Sequence, residues 1–235
     1  VEADDDGLYV LKFRGAGQGV KALIAELLAG EIGRALGLPV PEIVFVELDP
    51  LMGRTEPDPE IQDLLKASAG LNLALDYLPG SVTFEPLILR PEATLASEVV
   101  WFDAYTTNVD RTPRNTNILV WHRKLWLIDH GAALYFHHAW DSDYMKRSRS
   151  PFAQIREHVL LPFADALEEA DARLSRLLTP ELIRGIVELI PDEWLCGEQH
   201  FADAAQHRAA YVEYLLGRLE APRSFALEAS RARAL

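Results

Sequence analysis

Lys12 stands inside an apolar run, Tyr9-Val10-Leu11-Lys12-Phe13, in a chain with only five lysines, at positions 12, 21, 66, 124 and 146. Carboxylates and amides follow it in order: Glu26 and Glu31 in a stretch of helical spacing, Asp110 with Asn115 and Asn117 in Asn108-Val109-Asp110-Arg111-Thr112-Pro113-Arg114-Asn115-Thr116-Asn117, and Asp129 in Leu127-Ile128-Asp129-His130-Gly131. Phosphoryl transfer from ATP needs a cation on the phosphates, a carboxylate to receive the acceptor's proton, and oxygen ligands for magnesium. These residue types can supply all three. Each also has a plainer reading: a lone Lys guards an edge strand, Asp in Asn-Val-Asp-Arg-Thr-Pro caps a turn, and Asp-His-Gly closes a hairpin. Their joint order, with an apolar strand leading into Asp129, favours the chemical reading.

The elements that must position these groups are legible from periodicity. Residues 8 to 13 read as a strand, broken by glycines 15, 17 and 19. A helix then runs from near Lys21 to Leu36, carried by Ile24, Leu27, Leu28, Ile32 and Ala35 and ended by Gly37, Pro39 and Pro41. Residues 42 to 48 and 71 to 78 read as strands, with a short helix near 61 to 67 between them and Pro79-Gly80 closing the last. Helical spacing resumes at 95 to 105. A hairpin of two short strands, 118 to 120 and 125 to 128, surrounds the polar turn Trp121-His122-Arg123-Lys124, and residues 132 to 150 read as a loop. Helices are expected over 153 to 170, 180 to 190 and 200 to 219, with a frayed terminal helix from Ser224.

Composition limits the function classes. Asp and Glu number 36 against 23 Lys and Arg, for a net charge of −13, the wrong sign for coating nucleic acid or an anionic membrane. No apolar run approaches the roughly 20 residues of a membrane span. The start, Val-Glu-Ala-Asp-Asp-Asp, lacks the cationic and apolar regions of a secretory leader. The single Cys196, expected as a core or half-buried thiol, agrees with a reducing cytoplasm.

Taken together, the motifs resemble those of the HipA-like branch of the protein-kinase-like superfamily. Glu26 precedes Gly37-Leu38-Pro39-Val40-Pro41 as the family's helix glutamate precedes its Gly-Leu-x-Val-Pro turn. Asp110-Arg111 resembles its Asp-Arg catalytic loop, and Asp129-His130-Gly131 resembles the Asp-Phe-Gly magnesium motif with His for Phe. The resemblance implies an α+β, protein-kinase-like two-lobed fold, with a small sheet-and-helix lobe over residues 1–78 and a mostly helical lobe over 81–235. It implies ATP and Mg2+, with Lys12 on the α and β phosphates, Glu26 or Glu31 holding Lys12, Asp110 as the base, and Asp129 with Asn115 or Asn117 on the metal. Family position favours Glu26, whereas the helical wheel puts Glu31 in the apolar stripe. Asp76, Tyr77 and Leu78 take the place of the hinge that holds adenine.

The acceptor implied is a protein Ser or Thr, with a small-molecule hydroxyl as the alternative. The glycine-rich loop that precedes the lysine strand in kinases has no counterpart before Tyr9, so the small lobe reads as truncated, which leaves a pseudokinase or adaptor as a rival. A second rival is a dinucleotide-binding βαβ unit built on Gly15-Ala16-Gly17-Gln18-Gly19, with Val20 where a third glycine is expected. Finally, Lys146-Arg147-Ser148-Arg149-Ser150-Pro151 is a basic turn in which a phosphate on Ser148 or Ser150 could order the loop.

Overall fold

In the computed structural model, which describes residues 1–141 and 143–235 without the side chain of Thr55, the run around Lys12 forms strand β1 (Tyr9–Lys12). Helix α1 (Val20–Ala35), strand β2 (Ile43–Leu48), helix α2 (Pro59–Ala67) and strand β3 (Gly70–Asp76) follow. β3 lies between the other two strands and is antiparallel to both, with Leu73 opposite Lys12 on one side and Phe45 on the other. A dinucleotide-binding unit requires the strands on either side of its helix to be parallel partners in one sheet. Here β3 separates them, so the βαβ reading is corrected.

α1 is buried from Leu23 through Gly30 without a break, because the sheet covers one side and the helical body the other. Gly37 ends it at φ 79°: the Leu38 N–H reaches the Gly33 carbonyl and the Gly37 N–H the Arg34 carbonyl, a Schellman pattern that needs the left-handed conformation. The turn that follows is tied onward, since the Pro39 carbonyl accepts from the Leu127 N–H at 2.7 Å.

A second sheet joins β4 (Val82–Thr83), β5 (Ile118–Trp121) and β6 (Lys124–Leu127) in that order. Helix α3 (Ala93–Thr106) lies between β4 and β5 in the chain. The β5–β6 turn has His122 and Arg123 at φ 47° and 65°, the geometry that matches strand twist in a two-residue hairpin. The body is then completed by α4 (Tyr144–Ser148), α5 (Leu167–Leu177), α6 (Pro180–Val187), α7 (Asp192–Leu195), α8 (Ala204–Leu219) and α9 (Ser224–Arg233). The architecture is α+β with small antiparallel sheets and a mostly helical body, as the family resemblance implies. No helix among the described residues is long and apolar enough to cross a membrane.

Four expectations are corrected. Residues 153 to 170 do not form one helix: two 3-10 turns, Ala153–Glu157 and Leu161–Phe163, precede α5. The amides there are used elsewhere, the Val159 N–H by the Arg111 carbonyl and the Leu160 N–H by His158 Nδ1, both at 3.0 Å, and Pro162 has none to give. The loop from 132 to 150 contains a 3-10 turn at Tyr135–His138 and the short α4. Cys196 is exposed rather than buried.

The terminal helix is docked, not frayed. Phe225 is 1% exposed, with its ring centroid 5.2 Å from that of Trp101. Arg223 makes a two-pronged pair with Asp171 at 2.6 and 2.7 Å, and Asp171 also accepts from Trp101 Nε1 at 2.8 Å. Phe225→Ala is expected to cost about 3–5 kcal/mol, the range for deleting a buried aromatic ring. A urea midpoint equal to that of the unmodified protein would show that α9 does not contribute to the core.

Candidate active site

β1 ends at Lys12, whose ammonium reaches two carboxylates: Asp129 Oδ1 at 2.6 Å and Glu26 Oε2 at 3.8 Å. Glu26 is 1% exposed and also meets His130 Nδ1 at 3.4 Å. Burial drives the Glu26 carboxyl toward neutrality, but the hydrogen bond and charge of His130 and the charge of Lys12 outweigh it and hold its pKa at about 2. Burial likewise opposes the charge on Lys12, and the two carboxylates more than restore it, leaving its pKa raised. The sequence thus places an anion-paired cation where β1, α1 and the Asp129-His130-Gly131 turn converge. Asp129 itself is at φ 58°, a conformation Asp tolerates better than most residues and one common at functional sites.

Asp110 lies on the loop after α3. Its Oδ2 accepts from Asn115 Nδ2 at 2.8 Å and Asn117 Nδ2 at 3.2 Å, so both amides converge on one oxygen. The Asp110 N–H donates to Asn108 Oδ1, and Asn108 Nδ2 donates to Asp103 Oδ1, both at 3.1 Å. Asp103 is fully buried on α3, and its other oxygen takes Arg111 Nε at 2.6 Å and His158 Nε2 at 2.8 Å. Arg111 then reaches the carbonyls of Asn117 and Ile128, and the Ile128 N–H donates to the Asn117 carbonyl at 3.0 Å. One buried guanidinium therefore holds the Asp110 loop against the residue that precedes Asp129.

A cavity of about 300 Å³ lies beside Lys12, bounded by Val10, Asp76, Tyr77 and Leu78 on one side and by Leu119, Ile128 and Asp129 on the other. Asp76, Tyr77 and Leu78 are thus brought to the same cavity as Lys12 and Asp129. The Tyr77 N–H is already used by the Leu8 carbonyl at 2.9 Å.

Against this geometry, residues 1–226 match the family model of the HipA-like kinases. The chain belongs to the HipA-like kinase family. No curated protein and no solved structure matches it.

In this member of the HipA-like kinase family, Glu31 is the expected residue that the structure does not bring to Lys12: it lies 3.8 Å from Arg34 instead. The wheel argument for Glu31 fails because α1 is enclosed on both sides, so the apolar stripe does not mark a single buried face. Asn117 is 8% exposed and tied to Ile128 through its carbonyl, whereas Asn115 is exposed. Sequence reasoning missed Asp103 and His158. Asp103 carries a usable signal, an acid within Val99-Val100-Trp101-Phe102-Asp103-Ala104-Tyr105; His158 carries none. The basic turn is mostly neutralised by Lys146–Asp143, Arg147–Asp141 and Arg149–Glu220 pairs. Ser148 is buried and donates to the Met145 carbonyl, while Ser150 is exposed.

Burial raises the Asp103 pKa, and Arg111 with His158 overcomes this, so the carboxyl stays ionised well below the usual range. Its contribution to stability is present in full above about pH 4, the unfolded value, and is lost as pH falls toward the folded value. His158 is held neutral mainly by burial, and its Nδ1 accepts the Leu160 amide. Protonation of the unfolded histidine therefore also lowers stability as pH drops below about 6.5. Asp103→Asn should cost about 3–5 kcal/mol, because Arg111 keeps its buried charge without the carboxylate, and should flatten the loss of stability below pH 4. Urea midpoints between pH 3 and 7 that are the same for Asp103→Asn and the unmodified protein would refute the buried triad.

Proposed function

We propose that this kinase-family protein transfers the γ-phosphoryl group of Mg-ATP to a hydroxyl, a protein Ser or Thr being the acceptor implied by its family. The observation that carries the reading is Lys12, paired with Asp129 and Glu26 at the wall of a cavity that Asp76, Tyr77 and Leu78 also line. Residues 1–78 and 81–235 would be the two lobes, with adenine against the 76–78 segment. Lys12 would bind the α and β phosphates while Glu26 keeps it oriented and charged.

The residues present suit a magnesium ion. Asp129 Oδ1 is taken by Lys12 while the side chain stays 47% exposed, and the Asn117 amide nitrogen faces Asp110, leaving its oxygen for a ligand. Mg2+ is commonly held by one or two carboxylates with phosphate and water oxygens. Asp129 with Asn117 fits that donor set; Asn115, exposed and bonded to Asp110, serves better as its positioning partner. The chemistry a bound Mg2+ supplies is neutralisation of phosphate charge.

In the transfer, the acceptor oxygen attacks the γ-phosphorus as its proton passes to Asp110. The bond from the γ-phosphorus to the β,γ-bridging oxygen breaks, and ADP departs with that electron pair. Asn115 and Asn117 hold the Asp110 carboxylate in place, and Arg111 holds the loop. Catalysis of this kind is positioning and charge stabilisation.

Asp129→Ala should abolish magnesium-dependent ATP binding, while Asp110→Ala should leave binding nearly intact and reduce turnover about 10²- to 10⁴-fold, the usual scale of general-base loss. Equal turnover in Asp110→Ala and the unmodified protein, measured as ADP release, would sink the assignment. Glu26→Gln should weaken ATP binding or turnover, and Glu31→Gln should do little. The reverse pattern would place the lysine's partner at Glu31, and silence of both would remove the Lys–Glu pair from the site.

A further inference from the structure

A second cavity, of about 220 Å³, lies on the helical side of the Asp110 loop and shares no lining residue with the nucleotide cavity. Thr107 and Val109, just ahead of Asp110, form one wall; Phe136, Arg147, Tyr214 and Arg218 form much of the rest. Its lining has no carboxylate among the described residues, in a chain where acids outnumber Lys and Arg by 36 to 23.

Three features of the lining point to an anion. Arg218 is 2% exposed and has no carboxylate partner among the described residues; its guanidinium meets the carbonyls of Ala104, Tyr105, Ser148 and Ser150, the Tyr214 hydroxyl and ring, and the Phe225 ring. The Thr107 hydroxyl is nine-tenths buried, and the Tyr214 hydroxyl is its one polar side-chain neighbour among the described residues, at a geometry short of a full hydrogen bond, so it is left under-satisfied. Arg147 spends its NH1 on Asp141 and its NH2 on the Ala139 carbonyl, but its Nε is buried without a partner among the described residues. A buried cation without a counter-charge and orphaned polar hydrogens are each costly. Donors approaching from several directions, with no carboxylate among them, suit a ligand that only accepts and carries negative charge.

We propose that this pocket binds a phosphomonoester, and that the acceptor of the reaction carries that group alongside the hydroxyl it presents to Asp110. The second clause rests on the kinase reading; the anion site does not. The same chemistry could also come from a phosphate on exposed Ser150, which borders the pocket, whereas Ser148 is enclosed against Gly217 and is excluded.

The test is calorimetric titration of inorganic phosphate into Lys12→Met protein, which lacks the cation of the nucleotide cavity, after intact mass shows no covalent phosphate. Saturable binding is expected, weakened about five- to tenfold by Thr107→Val, which removes only a hydroxyl, and by Arg147→Gln. No saturable binding, or binding equal in both variants to the parent, overturns the site. Peptide mapping after incubation of the unmodified sequence with Mg-ATP separates the sources. A phosphate found on Ser150 that blocks added phosphate makes the chain its own ligand and overturns the acceptor clause; retained binding with Ser150 unmodified supports it. Because the titration needs no nucleotide, protein that binds phosphate but not Mg-ATP refutes the kinase reading alone, and protein that binds Mg-ATP but not phosphate refutes the pocket alone.

Discussion

Asp103 is a carboxylate with no exposed surface, and the geometry around Asp110 and Asp129 depends on it. Through Asn108 it fixes the Asp110 amide, through Arg111 it reaches the carbonyls of Asn117 and Ile128, and through His158 it ties down the segment between α4 and α5. Burying a carboxylate and a guanidinium costs several kcal/mol before their attraction is counted, and an apolar replacement is often as stable. Stability alone therefore gives little reason for the pair. Its effect is positional: hydrogen bonds with fixed directions place Asp110 and Asp129 relative to each other, which apolar packing would leave looser.

The Lys12 cluster is organised differently, since its members are only partly enclosed. Lys12 and Asp129 side chains keep 27% and 47% exposure, and only Glu26 and His130 are shut in. The buried half sets charge and direction, and the open half faces the cavity. A cation held by an anion that is itself buried and ionised stays charged in a low-dielectric wall, which is the condition for meeting phosphate there.

Much of the candidate site's clustering was legible because its members sit at strand ends and turns with local sequence cues: an isolated Lys in an apolar strand, Asp110 among Asn residues, Asp129 after a hairpin. The helices from 180 to 190 and 200 to 219 were legible within a few residues from Pro180, Pro191 and apolar spacing. What failed depended on contacts distant in sequence. Glu26 and Glu31 could not be separated by periodicity, because a helix covered on both sides loses its polar face. The segment from 153 to 166 has helical composition, yet Arg111 and His158 take its amides. The docking of α9 rests on Arg223–Asp171 and on Phe225 against Trp101, pairs that no local pattern announces. Asp103 could have been found by asking which partner an acid amid six apolar and aromatic residues must have.

The distribution of arginine carries the same logic to the other side of Asp110. In an acidic chain, most arginines in the structure lie within reach of a carboxylate, and such exposed pairs contribute little. Arg111 is buried with its acid and fixes the loop; Arg218 is buried with carbonyls, the Tyr214 hydroxyl and aromatic faces, and with no carboxylate among the described residues. Carbonyl dipoles can solvate a guanidinium but do not cancel its charge. The residual field of Arg218 therefore falls on the pocket beside Thr107 and Val109, within three residues of Asp110. The cavity beside Lys12 differs, since its one lysine is matched by Asp76 and Asp129 in the same lining, whereas the described lining of the pocket beside Thr107 holds Arg147 and Arg218 and no carboxylate.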